Sequence, residues 1–315
     1  MTHKKVQARA LWAWAVAGFT APAAQVLGSI SWPLVLGIGL LVGIVWVVAS
    51  KVTAEGWHGP KIVYAMEYVV LILTLTLWAS LSSKCWTTNT AGQTIPVVLL
   101  ILSACAAEGG IRAGSRCGRT LFWALTAMFL LLGAFSLPNV EYRWLKPNDN
   151  IDVGTTLWVF LLPLVTLLLP REDGAKLWPW PIVLVGTGFA VALLSPGVLS
   201  PQVSSVTDGA FFAMVRGISI LGVAERFEAV VAAAMTLGWF CCLSLLLVAA
   251  GHMAGQIHPG WERRGVWIGA ILASLGQWFG EIPMAWVAPY VAIFAWVVVP
   301  LLGCEKKSKK SENRD

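Results

Sequence analysis

The segment that decides the fold is residues 152–170, DVGTTLWVFLLPLVTLLLP, in which Asp152 is the one charged residue. A helix of about 20 apolar residues is long enough to cross the hydrocarbon core of a bilayer. Pro163 interrupts the run, and a proline inside a helix removes a backbone donor and disrupts the preceding turn. Carbonyl groups freed at membrane depth must face protein or a ligand. The segment therefore predicts a membrane-spanning helix with a break that a ligand could use.

A second apolar segment, near the start of the chain, carries a similar break. Residues 18–22 read GFTAP and residues 159–163 read VFLLP, so both breaks share a Phe-x-x-Pro pattern. If the two segments are spans one and six of ten, they occupy matching places in two five-helix halves of opposite orientation. Paired discontinuous helices in inverted halves are typical of transporters with a ligand site at the membrane midplane. Two ordinary proline kinks are the alternative interpretation.

Composition extends the membrane assignment to the whole chain. The 315 residues are 57% hydrophobic and 12% charged, and the mean hydropathy is +0.74. Soluble domains are nearer one quarter charged, so a soluble enzyme and a disordered chain are both excluded for the bulk of the sequence. Apolar runs predict an all-α integral membrane protein with ten spans, at about 10–29, 31–50, 61–82, 95–112, 119–137, 152–170, 180–199, 226–251, 265–281 and 284–303.

The basic residues orient the spans. Ten spans leave 17 Lys and Arg on the side of both termini and five on the other side, which predicts cytoplasmic termini. The chain then divides into a transmembrane domain at 1–304, with halves at about 10–137 and 152–303, and a charged cytoplasmic tail at 305–315. A cleavable signal peptide at the start is the competing interpretation, because Lys4, Lys5 and Arg9 precede an apolar run and small residues. Removing it would leave nine spans and move one terminus to the other side of the membrane, and the distribution of Lys and Arg argues against this.

The two breaks predict the ligand-lining residues. An unwound segment exposes amide groups that can hold a carboxylate and carbonyl groups that can hold an ammonium. We therefore expect a small amino-acid-like ligand to be lined by Gly18, Phe19, Thr20, Ala21, Gly154, Thr156 and Phe160.

Two acidic residues lie within predicted spans. Glu67 is about 9 Å along span three, where an unpaired charge would be costly, and is the candidate for proton coupling. Glu108 lies one turn before Arg112, so an i,i+4 ion pair is the expected role, with coupling as the alternative.

Other chemistries find little support in the sequence. The four histidines fall in polar connections and the six cysteines follow no regular spacing, so we expect no metal site and no cofactor. No nucleophile lies beside a recognisable base, so we expect no enzyme activity and no catalytic residues. The net charge of +6 is densest in the tail, which favours cytoplasmic retention over nucleic acid binding. Several of the eighteen tryptophans, including Trp12, Trp14 and Trp78, fall near predicted span ends and suggest headgroup contacts.

Three short motifs resemble the GerAB-like spore germination permeases of the amino acid/polyamine/organocation superfamily. Residues 107–116, AEGGIRAGSR, resemble that family's Gly-Ile-x-x-x-x-Arg signature at Gly110, Ile111 and Arg116. Residues 216–228, RGISILGVAERFE, resemble its Glu-Arg-x-Glu element at Glu225 and Arg226, and residues 144–147, WLKP, resemble its loop before span six. Some relatives in the wider superfamily carry a lysine in span five, whereas residues 121–137 of this chain contain no charge. We expect Arg116, Glu225 and Arg226 to be structural or coupling residues near the membrane surfaces.

The resemblance implies a LeuT-like fold with a 5+5 inverted repeat, an amino-acid-sized pocket and a role as the B-type subunit of a spore germinant receptor. It also implies two partners, an A-type membrane subunit and a C-type lipoprotein, and a location in the bacterial cytoplasmic membrane as the spore inner membrane. The alternative is a secondary transporter for an amino acid or amine, which needs the same pocket. The sequence leaves both open.

Overall fold

A computed structural model describes residues 7–53, 59–83, 94–147, 149–171, 178–207, 209–217, 227–277 and 288–301. The described elements are helices joined by short connections. They are α1 (Ala8–Val26), α2 (Trp32–Val52), α3 (Lys61–Ser83), α4 (Thr94–Ala107), α5 (Gly110–Ser136), α6 (Val153–Leu161), α7 (Pro179–Leu199), α8 (Pro201–Val206), α9 (Ala210–Gly217), α10 (Phe227–Ile257), α11 (Glu262–Gly276) and α12 (Ala288–Ile293). Shorter 3₁₀ segments follow α1 at Leu27–Ser29 and α6 at Leu162–Leu168, and a π-helical turn follows α12 at Phe294–Val298.

Six of the described helices are long and apolar enough to cross a membrane, so the chain is a multi-pass membrane protein. They are α1 with its 3₁₀ extension, α2, α3, α5, α7 and α10. Three shorter apolar helical stretches, at Thr94–Ala107, Val153–Leu168 and Ala288–Leu301, fall below that length. The all-helical class is confirmed, whereas the count of ten spans stays a prediction.

Helix α1 forms the centre of the molecule. Almost all of its side chains are buried, from Leu11 and Trp14 to Ala24. The helix combines small residues with a few large aromatic ones and is apolar all round, which is the pattern of a helix enclosed by others. It packs against α5 on one side and α10 on another, with α7 and α6 completing the enclosure.

Glycines in the neighbouring helices make this close packing of α1 possible. A Cβ atom at Gly114 of α5 would overlap the ring of Trp14, and one at Gly118 would overlap its Cβ and Cγ atoms. On the other side, a Cβ atom at Gly18 would lie 3.0 Å from the backbone of Cys242 in α10. Small residues at helix crossings let backbones approach, and in a bilayer this packing is a main source of helix association.

The two predicted breaks have different structures. Helix α1 continues through Pro22 to Val26, so the expected unwound segment at residues 18–22 is wrong. One missing backbone donor does not open a helix that is packed on every side, and the hydroxyl of Thr20 donates to the Ala17 carbonyl at 2.7 Å. Span six does change at the proline, because α6 ends at Leu161 and a seven-residue 3₁₀ helix begins at Leu162.

A buried arginine closes span six onto α2. Arg171 is 3% exposed and donates through Nη2 to the Ser50 carbonyl and to Thr53 Oγ1, both at 2.7 Å. Its Nη1 donates to the carbonyl of Thr166 at 3.2 Å. The carbonyl groups at helix ends lack intrahelical partners, so one guanidinium satisfies groups at the ends of both segments. Arg171 therefore fixes the end of the 3₁₀ helix, and Trp46 Nε1 adds a bond to Thr166 Oγ1 at 3.3 Å.

The connection between spans four and five places Glu108 differently from the sequence prediction. Helix α4 ends at Ala107, and α5 begins at Gly110 with φ of +72°, a conformation that glycine adopts without strain. Glu108 therefore lies outside the helix that carries Arg112, and the expected i,i+4 ion pair is wrong. Within the described residues, the ion pair present joins Arg143 and Glu141. Arg112 and Arg116 belong to the first turns of α5 instead of the connection.

Candidate ligand site

Two predicted site residues meet at the centre of the fold. The rings of Phe19 in α1 and Phe160 in α6 lie 5.2 Å apart and are inclined by 40°. Both side chains are fully buried. The tip of Phe160 extends between α2 and α7, where Cβ atoms at Gly39 and Gly188 would each lie 2.9 Å from its Cζ atom. Phe160 therefore joins α1 to both neighbours of span six.

An aromatic cluster, Trp78 with Trp158 and Trp239, extends this centre toward α3 and α10. Trp158 of α6 stacks on Trp78 of α3 with ring centroids 4.2 Å apart, and Trp78 lies 5.9 Å from Trp239 of α10. All three are at most 3% exposed, so the expectation of a headgroup contact for Trp78 is wrong. Trp12 and Trp14 are also buried in the core. Within the described part of the chain, four buried tryptophans have an Nε1 without an acceptor, and two of them, Trp78 and Trp158, are stacked in this cluster.

Such buried donors favour binding of a ligand that carries an acceptor. A buried N–H group without a partner costs about 1–3 kcal/mol, and few are left in native structures. The cluster combines large apolar faces with two N–H groups, which suits a molecule with an apolar part and a carboxylate or carbonyl oxygen. Sequence reasoning did not select these residues, because aromatic residues in an apolar run have no spacing signature that separates core from site.

Gly18 and Ala21 face α10. The built Cβ atom of Gly238 would lie 2.7 Å from Ala21 Cβ and 2.9 Å from Thr20 Oγ1, so the two helices cross here with little space. A bulky residue at Gly18 would collide with the Cys242 backbone. Such a variant would disturb helix packing, and it would therefore not isolate an effect on ligand binding.

Thr20 lines a cavity of about 580 Å³ between α1, α5, α7 and α9. Its lining is mostly apolar and includes Phe129, Phe189 and Phe211, with the Phe129 and Phe211 rings stacked at 5.5 Å. Val16 of α1 lies beside Thr20 in the same wall. Thr20 is thus the predicted site residue that links the core to a cavity.

Gly154 and Thr156 lie in the first turn of α6. Asp152 caps this turn by accepting a bond from the Thr155 amide at 2.9 Å, as expected for an N-cap residue. The hydroxyl of Thr156, which is fully buried, donates to the Asp152 carbonyl at 2.6 Å. This turn comes one helical turn before Phe160 and shapes the approach to the centre.

Glu67 is buried in α3. It is 2% exposed, and its Oε2 atom has no hydrogen-bond partner among the described residues. The neighbouring Tyr68 donates to the Gly265 carbonyl at 2.7 Å and so ties α3 to α11. An acid buried in a membrane span without a partner is a candidate for proton binding.

Glu108 belongs to a polar basin at the corner of α4 and α5. Its Oε1 atom accepts a bond from Trp267 Nε1 at 2.6 Å. The basin has a volume of about 310 Å³ and also involves Arg112, Glu262 and Arg263, all of them solvent-exposed. The Gly110–Ile111 part of the resemblance lines this basin, and Arg116 lies exposed on the following turn of α5.

The remaining predicted residues, Glu225 and Arg226, lie outside the described residues, as does Lys84. Among the described residues, no group of three or more His, Cys, Asp or Glu side chains is arranged to hold a metal ion.

Comparisons with known proteins identify the fold. No family model and no curated protein matches the sequence. A solved structure does match: the LeuT-fold transporter MhsT, in complex with L-phenylalanine, superimposes with a TM-score of 0.59. The superposition covers 96% of this chain and 88% of that chain at 16% sequence identity. This all-helical membrane chain therefore has a LeuT-like fold.

Proposed function

We propose that this protein binds a small amino-acid-like ligand at its centre, between α1, α3, α6 and α10, and acts as the B-type subunit of a spore germinant receptor. The observation that carries the binding proposal is the buried Trp78–Trp158 stack with its two unpartnered N–H groups, next to the Phe19–Phe160 contact. The structural neighbour supports it, because MhsT was solved with L-phenylalanine. The receptor role rests on the three short motifs.

The ligand class follows from the side chains of the cluster. Aromatic faces favour an apolar side chain, and indole N–H groups donate only, so the recognised polar group must accept. An amino acid with a large apolar side chain meets both requirements through its carboxylate. In this proposal the carboxylate accepts from Trp158 Nε1, and the apolar part packs near Phe19 and Phe160.

Trp158→Phe tests the binding proposal because it removes the N–H donor and keeps an aromatic ring. The purified protein is titrated calorimetrically with the twenty amino acids, and the best ligand is then measured against each variant. Loss of one hydrogen bond to a charged group, about 1.5–3 kcal/mol, predicts at least a tenfold weaker affinity. Trp123→Phe, at an exposed position of α5, is the matched control and should bind as the wild type does. If Trp158→Phe and Trp123→Phe bind the ligand with equal affinity, Trp158 is not part of the site.

A secondary transporter is the second candidate, and Glu67 is the observation that favours it. A proton-coupled carrier needs an intramembrane group that gains and loses a proton with substrate occupancy, and Glu67 is buried with an unpartnered oxygen. In proteoliposomes, gradient-driven accumulation by the protein alone, abolished by Glu67→Gln, would establish transport and overturn the receptor role. The receptor proposal expects no accumulation, together with co-purification of an A-type subunit and a C-type lipoprotein.

A further inference from the structure

The cavity between α5 and α7 has no role in the binding proposal. Its walls are the later half of α5 and the middle of α7, two helices that are both long and apolar enough to cross a membrane. Leu130 and Leu137 stand at its edge and are 70% and 64% exposed. Surfaces of this kind on membrane-crossing helices face the hydrocarbon of the bilayer. The cavity therefore opens sideways toward lipid.

Two glycines in its walls leave space that helix packing does not fill. Cβ atoms built at Gly133 of α5 and at Gly186 of α7 would each find no atom within 4 Å. Glycines in membrane helices usually bring two backbones together, as Gly114 and Gly118 do around Trp14. Here glycines on facing walls border open space instead, and α5 packs mainly on α1 while α7 packs mainly on α2.

The lining also defines the chemistry of an occupant. No charged side chain contributes to it. Two of its three threonine hydroxyls are occupied within their own helices, because Thr20 donates to the Ala17 carbonyl and Thr187 donates to the Val183 carbonyl. The volume of about 580 Å³ is within the usual range for small-molecule pockets, about 300–1,000 Å³. An uncharged, flexible hydrocarbon fits this lining.

We propose that the cavity is a lipid site that takes one acyl chain from the bilayer, with the chain end against Val16 and Thr20. The bilayer supplies the occupant, because the cavity opens on the face that the membrane covers. Since its floor is formed by α1, the chain contacts the helix that carries Phe19. The composition of the bilayer can therefore influence the central site through α1.

Photolabelling of the full-length protein in nanodiscs tests the proposal. The probe is a phosphatidylcholine with a diazirine near the end of one acyl chain, and labelled residues are identified by mass spectrometry. We expect label on Phe129 and Phe189 inside the cavity. Gly133→Leu fills the cavity with a residue that favours helix more than glycine does, so it should fold and lose that label.

Gly37→Leu is the matched control. Gly37 lies exposed in α2 and also has no atom within 4 Å of a built Cβ, but it does not line the cavity. This variant should keep the label at Phe129 and Phe189. Unchanged label in Gly133→Leu, or protection of the cavity by a soluble amino acid, would overturn the proposal. So would a dimeric wild type that Gly133→Leu converts to a monomer, because the cavity would then be a contact between copies.

Discussion

Gly39→Ala and Gly188→Ala test how Phe160 is held at the centre of the fold. Each new methyl group would lie 2.9 Å from Phe160 Cζ, whereas carbon atoms in good contact are about 3.5–4.0 Å apart. The ring would have to withdraw by roughly 0.6 Å. Such a displacement would disturb the contact with Phe19, whose ring centroid lies 5.2 Å away.

The magnitude is a balance of two effects. Overpacking a tight core costs about 1–3 kcal/mol. Replacing a helical glycine with alanine returns about 1 kcal/mol through helix propensity. Each variant should therefore lose up to about 2 kcal/mol of stability, which lowers the melting temperature by roughly 2–4 °C per kcal/mol. Gly37→Ala in the same helix meets no atom within 4 Å, so it should be neutral or stabilising.

The assay is thermal unfolding of the purified variants, followed by thiol-reactive or intrinsic fluorescence. Phe160→Leu removes the Cζ atom and leaves the contact with Leu27 Cδ1 at 3.2 Å, so Gly188→Ala should destabilise less in that background. We expect a coupling energy of about 1–3 kcal/mol in the double-mutant cycle. If Gly37→Ala, Gly39→Ala and Gly188→Ala all raise the melting temperature alike, the Phe160 ring is not confined between α2 and α7.

Three further predictions concern packing and topology. Arg171→Met should lower stability by at least about 3 kcal/mol, measured by thermal unfolding, because it leaves three buried acceptors without their charged donor. Gly118→Ala should reduce the yield of folded protein on size-exclusion chromatography far more than Gly133→Ala does, because its methyl group would overlap Trp14 near the backbone. In a cysteine-free background, a cysteine at Arg143 should react with an impermeant thiol reagent added outside cells, and one at Arg116 should not; the reverse pattern would contradict the charge-based orientation.

The sequence predicted the class of fold but not the state of its breaks. Pro22 and Pro163 carry the same local signal, the loss of one backbone donor. Both segments are buried, so burial does not separate them. In span six, Arg171 donates to the Ser50 carbonyl and Trp46 donates to Thr166 Oγ1, and these bonds to α2 stabilise the 3₁₀ segment. Tertiary contacts between residues more than 100 positions apart decide this outcome, and a local pattern cannot contain them.

The candidate site shows the same limit. Phe19 and Phe160 were predicted from the breaks, and the structure brings them together. Trp78 lies near the end of an apolar run, and its position there indicates a headgroup contact. It lies instead in the core because α3 packs along α10 and presents that face to Trp158. When every face of a helix is apolar, its sequence does not indicate which face points into the core. The sequence analysis therefore did not identify the tryptophan cluster.

Contacts divide the helices into two groups around the proposed site. Span six is tied to α2 at both ends: the Ser31 amide donates to the Asn150 carbonyl before α6, and Arg171 bonds Ser50 after it. Phe160 joins these two helices to α7 in the middle. A second group forms around α10, which packs against α3, α4 and α11, and α1 lies between the two groups because it packs against both α10 and α7.

The Trp158–Trp78 stack is a direct contact between these two groups, and it lies where the ligand is proposed to bind. We expect a ligand that inserts at this stack to change the spacing between the groups and to leave each group internally unchanged. Spin labels at exposed positions measure this: the distance from Leu41 of α2 to Ile182 of α7 should stay constant on ligand binding, and the distance from Leu41 to Ile271 of α11 should change. A ligand-dependent change in the distance between Leu41 and Ile182 would show that the first group is not rigid. The Trp158–Trp78 stack would then not be the contact at which the two groups move.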